Sequence, residues 1–229
     1  MNYKDYFLNN KFSNCLKYKI DSNLVKQNRI EFIKQQVKNK TVLHFGFVDH
    51  SLNLSHNKKW LHGELLSSAK EVYGVDILKK EVEFYKKKYS HLFCFNILAD
   101  PVPNEIKNKS FDVVVLGEIL EHIPEPIIFL KKINSCLNFK KIIITVPNAF
   151  AINNFFNVFK GAEKINSDHY FWFTPYTLSK QLYLSKFVIE KMVFSDHKHR
   201  FNFIFNILKK NGFFNSTIIV IARKSNKTT

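Results

Sequence analysis

The chain has 229 residues, 45% of them hydrophobic, which suits one domain with a sizeable core, and no apolar run approaches the ~18–20 residues of a membrane span. The start, MNYKDYFLNNKF, has no apolar stretch of secretory type, and Cys15, Cys94 and Cys136 show no CxxC or Cys/His ligand spacing; no disulfide framework, zinc or other metal is expected, and a reducing cytoplasm fits. The formal charge of +16 favours an anionic partner such as a phosphorylated small molecule, a nucleotide-linked sugar, nucleic acid or anionic lipid.

Residues 1–40 read as an N-terminal segment with a helix over about 24–38, capped by Asp21-Ser22 and carrying Ile30, Ile33 and Val37 on one face. A first strand, Thr41-Val42-Leu43-His44-Phe45, meets Gly46. Residues 47–59 are a polar connection, and Leu61, Leu65 and Ala69 then repeat at helical spacing. A second strand at 72–75 ends at Asp76. A helix over 79–89 puts Val82, Tyr85 and Tyr89 on one face. Leu92 to Phe95 form a third strand that stops at Asn96, and Pro101 and Pro103 mark a loop. Phe111 to Leu116 is a strand of buried type ending at Gly117. Pro126 opens a helix through Leu137, and Lys141 to Val146 is a fifth strand stopped by Pro147.

Five strands alternating with helices imply a parallel sheet covered on both faces, with ligand residues at the carboxyl ends of the strands. Gly46, Asp76, Asn96, Gly117-Glu118 and Pro147-Asn148 all fall there. A glycine turn after the first strand lets backbone approach a ligand, and an acid ending the second can accept from ribose hydroxyls.

Beyond residue 148 the alternation is less regular. An aromatic stretch includes Asp168-His169-Tyr170-Phe171-Trp172. Thr174-Pro175 starts a helix running to about Leu184, a sixth strand spans Phe187 to about Phe194, and Ser216 to Ala222 form the last strand. The residues from Arg223 onward are expected to be a disordered tail. His197 to Arg200 form a basic loop, and the stripe from Phe201 to Leu208 is read as core or as a homodimer contact. The lysine pairs are dispersed, as on solvated helix faces, and no RNA-binding signature is visible, so nucleic acid is the less favoured partner.

The segment Phe111-Asp112-Val113-Val114-Val115-Leu116-Gly117-Glu118-Ile119-Leu120-Glu121-His122-Ile123 resembles the fourth strand and following loop of class I S-adenosylmethionine-dependent methyltransferases. The likeness spans roughly residues 41–148, with a weaker echo at His169 to Leu178 of a stretch that related bacterial methyltransferases carry before their fifth helix, and the type it resembles is the bacterial small-molecule or polysaccharide-pathway one. It implies a Rossmann-like α/β fold: a seven-stranded sheet, mostly parallel with an antiparallel last strand, and helices on both faces. Residues 41–148 would be the S-adenosylmethionine-binding core, and 149–229 an acceptor-binding lid with the final strands of the same domain. By the resemblance Gly46 lies under the methionine part of the cofactor, with His44 where the family usually has a carboxylate and Asp49 nearby. Asp76 binds the ribose hydroxyls and Ile77 packs on adenine. Asn96, with Ile97 beside it, faces the adenine amino group, and Gly117 and Glu118 line the methionine side. Bulky Phe47 and Val48 stand where the family has small residues.

Glu121 and His122 would flank the acceptor pocket. His122 or His169 would take a hydroxyl proton, because imidazole titrates near neutrality, with Asp168 to orient or replace it. His62 and Glu64 read as a solvated helix face, and His50 and His56 as loop residues. The expected activity is O-methylation of a small anionic or carbohydrate acceptor, such as a nucleotide-linked sugar or surface-polysaccharide precursor. A quinone-type or RNA methyltransferase and a non-catalytic scaffold are the alternatives.

Overall fold

A computed structural model of the chain describes residues 28–48, 60–195 and 212–225. Asp49, His50, His56, the expected cap at Asp21-Ser22, the basic loop from His197 and the apolar stripe from Phe201 lie outside the described residues.

Seven strands form one sheet: β1 Thr41–Phe45, β2 Glu71–Asp76, β3 Leu92–Cys94, β4 Ser110–Gly117, β5 Asn138–Pro147, β6 Phe187–Ser195 and β7 Thr217–Lys224. Their spatial order is β3-β2-β1-β4-β5-β7-β6. The pairs among β1 to β5 are parallel, and β7 runs antiparallel between β5 and β6, as the resemblance implied. The strands are near-continuous runs of Val, Ile and Leu because helices cover both faces. One face carries Leu43, Val114, Ile144 and Val220 into the larger core. The other carries Val42, Val113, Val115 and Ile143 against Phe32, Ile33 and Leu65. That division is the period-two alternation of a pleated strand.

The helices are α1 Arg29–Val37, α2 Leu61–Leu66, α3 Lys79–Lys86, α4 Asn104–Lys107, α5 Pro126–Cys136, α6 Ile152–Phe159 and α7 Pro175–Leu184. Asn28 caps α1 by accepting from the Glu31 N–H at 2.9 Å. Thr174 and Thr177 form a reciprocal capping box at α7, with Pro175 in the first turn. Helices α4 and α6 lie where a loop and an irregular aromatic stretch were expected. The expected disordered tail is corrected at its start, because Arg223 and Lys224 belong to β7 and pair with Val188 and Phe187; residues 226–229 lie outside the described residues. Strand pairing supplies backbone partners that two charged side chains do not advertise. No helix among the described residues is long and apolar enough to cross a membrane.

Candidate active site

The carboxyl ends of β1 to β4 open onto one cleft of about 740 Å³, lined by all of His44, Gly46, Asp76, Ile77, Asn96, Ile97, Gly117 and Glu118, together with His122 and His169. The size is that of a small-molecule site. Gly46 has φ +69°, and a Cβ there would stand 3.0 Å from Ile119 Cδ1, so the turn after β1 needs glycine. Its N–H donates to the Val75 carbonyl at 2.8 Å, tying the turn to β2.

Asp76 ends β2 and is 8% exposed. Its Oδ2 accepts from the Val48 N–H at 2.9 Å, and Oδ1 from Ile77 and Leu78 N–H at 2.8 and 3.2 Å. Burial pushes its carboxyl up, while the three backbone donors pull it back. Three accepted bonds leave a lone pair on Oδ2 for a ligand hydroxyl. Ile77 next to it is 65% exposed, an apolar surface free to meet a flat ring. The Asn96 N–H donates to Asp100 Oδ2 at 2.7 Å, and Asn96 Oδ1 accepts from the Leu98 N–H at 3.0 Å. The amide oxygen assigned to an adenine amino group therefore already shapes the turn, with one lone pair left over. Ile97 reaches the cleft wall from within the main core.

His44 is buried on β1. Its Nδ1 lies 3.2 Å from Nδ1 of His62, and the rings stack at 14°. His62 is fully buried, which corrects the reading of this helix position as solvated. Burial drives the His62 ring down to about 3 and His44 well below its ordinary range, the latter helped by His62 and Arg29. Both rings are thus neutral near pH 7, and the Nε2 atom of each has no hydrogen-bond partner among the described residues. Phe47 does not fill the cleft. Its ring packs with Trp60, Tyr85, Val82 and Leu92 in a separate cluster, and its carbonyl accepts from Trp60 Nε1 at 2.8 Å.

Beyond Gly117 the chain turns sharply. Glu118 has φ +56°, a left-handed conformation costing roughly 1–2 kcal/mol for a residue with a Cβ. Its N–H donates to both the carbonyl and Oγ1 of Thr145, at 3.0 and 3.2 Å, which holds the turn. The Glu118 carboxylate pairs with Arg29 at 2.7 Å. Arg29, from α1, also lines the cleft. Sequence reasoning missed it because nothing local to α1 indicates contact with a loop so distant in the chain.

A 3-10 turn at Leu120–His122 follows. Leu120 anchors it in the core, which carries Glu121 into a site 1% exposed. Neither carboxylate oxygen of Glu121 has a hydrogen-bond partner from another described residue. Burial pushes its carboxyl up to about 8, with Glu118 and Asp168 adding to the rise and Arg29 opposing it. The Glu121 carbonyl accepts from the Tyr170 N–H at 2.8 Å, which pins the aromatic segment over the turn. That contact brings His169 edge-on to His122, ring centres 4.5 Å apart. His122 Nδ1 lies 3.1 Å from Asp168 Oδ2, and His169 Nε2 lies 3.3 Å from the Asn166 side-chain amide. All three expected catalytic residues therefore converge at one end of the cleft. Glu64, by contrast, pairs with Lys34 away from it.

Residues 52–144 match the family model described as a methyltransferase domain. No curated protein matches the chain. Among solved structures, the chain is similar to the small RNA methyltransferase HEN1 at 16% identity and TM-score 0.61, over 93% of this chain and 27% of that one. The chain thus spans about a quarter of that protein's length. It is similar to an S-adenosylmethionine-dependent methyltransferase from Archaeoglobus fulgidus, at 19% identity and TM-score 0.56, over 85% of this chain and 94% of that one. A third is the magnesium protoporphyrin IX methyltransferase from Synechocystis PCC 6803, seen with bound S-adenosylhomocysteine, at 14% identity and TM-score 0.55, over 86% and 82% of the two chains.

Proposed function

We propose that this chain, which carries a class I methyltransferase domain with S-adenosylmethionine as its cofactor, methylates a hydroxyl of a small anionic or carbohydrate acceptor. The observation that carries the reading is the continuity of the cleft. The strand-end residues suited to an adenosyl group and the Glu121, His122 and His169 cluster open onto the same space or border it.

The residues present fit the cofactor. Asp76 keeps a lone pair for a ribose hydroxyl, Ile77 offers an exposed apolar surface for the adenine, and the glycine turn at Gly46 admits close backbone approach. His44 Nε2, buried and without a partner among the described residues, supplies a neutral polar contact on the methionine side, where Arg29 adds a positive charge next to Glu118. The cofactor supplies an electrophilic methyl on a sulfonium. The chain's own task is alignment, exclusion of water and management of the acceptor proton.

Asp168 Oδ2, 3.1 Å from His122 Nδ1, orients the ring that is to take the acceptor's proton. Arg29 is the cation near Glu118 that can meet an anionic group, and the +16 charge draws such acceptors in. That same charge favours, as a second reading, an RNA acceptor, the substrate class named for HEN1. Calorimetry with S-adenosylhomocysteine, followed by a radiolabelled methyl-transfer assay against nucleotide-linked sugars, quinols and short RNAs, tests the reading. A folded protein with no cofactor affinity would identify a scaffold.

A further inference from the structure

We propose that helix α6 is an interfacial element that seats this chain on an anionic lipid bilayer. The inference goes beyond the methyl-transfer reading and does not depend on it.

Ile152, Phe155, Phe156 and Phe159 of α6 recur at i, i+3, i+4 and i+7, the spacing that puts side chains on one helix face. In a water-soluble domain such a stripe turns to the core. Of these four, only Ile152 is buried. Phe155 and Phe156 are exposed, and Val158 and Phe159 are 69% and 86% exposed. The remaining positions of the helix are asparagines. Asn154 donates to the Asn148 and Ala149 carbonyls at 3.2 and 3.1 Å, which ties α6 to the end of β5. The helix is thus held to the domain through a polar side chain, and its apolar side chains are left in water. A cluster of that kind marks an interaction surface.

Electrostatics decides among the occupants such a face could have. A stable protein–protein contact takes about 20–30 residues a side, and this face offers a handful. Two copies of a chain of charge +16 also repel each other. An anionic bilayer surface attracts that charge and needs only a few inserted aromatic side chains. Cations stand next to the stripe. Lys160 and Lys164 follow α6 and are exposed, and the acid between them, Glu163, is held by the Trp172 indole N–H at 2.6 Å. The 3-10 turn Gly212–Phe214 lies against the helix, with the Phe155 and Phe214 ring centres 6.1 Å apart. Lys209 and Lys210 precede that turn by three and two residues, and residues 197–211 carry Lys198, Arg200, Lys209 and Lys210 and no acid. Helix α6 leaves the sheet at the carboxyl end of β5, the edge onto which the cleft opens. Seating α6 on lipid therefore places that edge near the bilayer surface.

The full chain is mixed with vesicles of phosphatidylcholine alone, or of phosphatidylcholine with about 30% phosphatidylglycerol, and bound protein is separated by flotation. The protein should partition onto the anionic vesicles, more weakly as salt rises, and at least ~10-fold less onto the uncharged ones. The double substitution Val158→Ser and Phe159→Ser should lower partition onto anionic vesicles by at least ~10-fold, with the thermal unfolding midpoint unchanged. Phe84→Ser, at an exposed phenylalanine of α3, should leave partition as it was. No partition onto either vesicle would overturn the proposal. So would full partition by the folded double variant, since charge alone would then hold the lipid. A dimer in sedimentation that dissociates in the double variant would assign the face to a second copy and overturn it as well.

Discussion

Nδ1 of His44 and Nδ1 of His62 face each other across 3.2 Å beneath the turn that follows the first strand. Such a contact needs one ring to donate and the other to accept, so the two cannot both be imidazolium, and burial keeps each of them neutral. A neutral histidine pair thus occupies the place where the resembling family usually carries a negative charge. On the proposed reading, the contact with the cofactor's methionine end comes from the neutral His44 Nε2 and not from a carboxylate.

This pair makes stability depend on pH. His62 titrates at about 3 in the fold and near 6.5 when unfolded, and His44 is lowered in the same sense. Below pH 6.5 the unfolded chain takes up protons that the folded chain refuses. The contribution is therefore complete above the unfolded value and drains away as pH falls toward the folded one, by about 1.4 kcal/mol per pH unit for each ring. Urea unfolding at pH 7 and pH 5 should show the drop, and a His62→Met variant should lose about half of the slope. The same unfolding free energy at both pH values would show that the pair is not held neutral.

Removing the acid at the end of β2 should weaken the cofactor. One charge-assisted hydrogen bond is worth on the order of 1.5–3 kcal/mol, so Asp76→Ala should raise the dissociation constant for S-adenosylhomocysteine by ~10- to 100-fold in calorimetry. The same variant should also lose stability, because the Val48, Ile77 and Leu78 N–H groups lose their acceptor. Unaltered affinity in a folded variant would displace the ribose from this strand end.

Turnover should fall by ~10²–10⁴-fold in His122→Ala, with cofactor affinity nearly constant, when the His122 ring takes the acceptor's proton. Asp168→Asn should fall in the same direction by a smaller factor, because it disturbs the tautomer of His122 and leaves the ring in place. Single-turnover rates with saturating cofactor separate these effects from binding. Near-full rates in both variants would move the chemistry away from the 3-10 turn.

Salt should discriminate acceptor classes. A small phosphorylated or sugar acceptor should bind with a shallow dependence on ionic strength. A nucleic acid should give a steep, linear fall on logarithmic axes as counterions are released. Titrating fluorescent RNA and a nucleotide-linked sugar between low and moderate salt makes the comparison, and tight RNA binding with a steep slope would favour the second reading.

The β-strand pattern and the chemistry of the strand ends were legible in the chain. Parallel α/β topology sends every strand's carboxyl end to the same edge, so Gly46, Asp76, Asn96 and Gly117 could be grouped without coordinates. His62 was not legible. It lies between Leu61 and Gly63 on α2, and it is buried because Gly74 on β2 leaves room: a Cβ there would lie 2.9 Å from His62 Cε1. Arg29 was missed because its partner Glu118 lies far along the chain, in the turn after β4.

By itself, the amino-acid sequence determined the alternation of strands and helices and the residues at the strand ends, because hydrophobic periodicity and turn chemistry are local properties that the backbone must obey; the seven-stranded order came from the family resemblance. Only the tertiary structure decided what those residues can do together. Burial without a partner distinguishes Glu121 from a surface acid. Ring-to-ring contact makes His44 and His62 a neutral pair. One backbone hydrogen bond, Tyr170 to Glu121, delivers His169 to His122. Desolvation and proximity belong to the packed chain, and no window of sequence contains them.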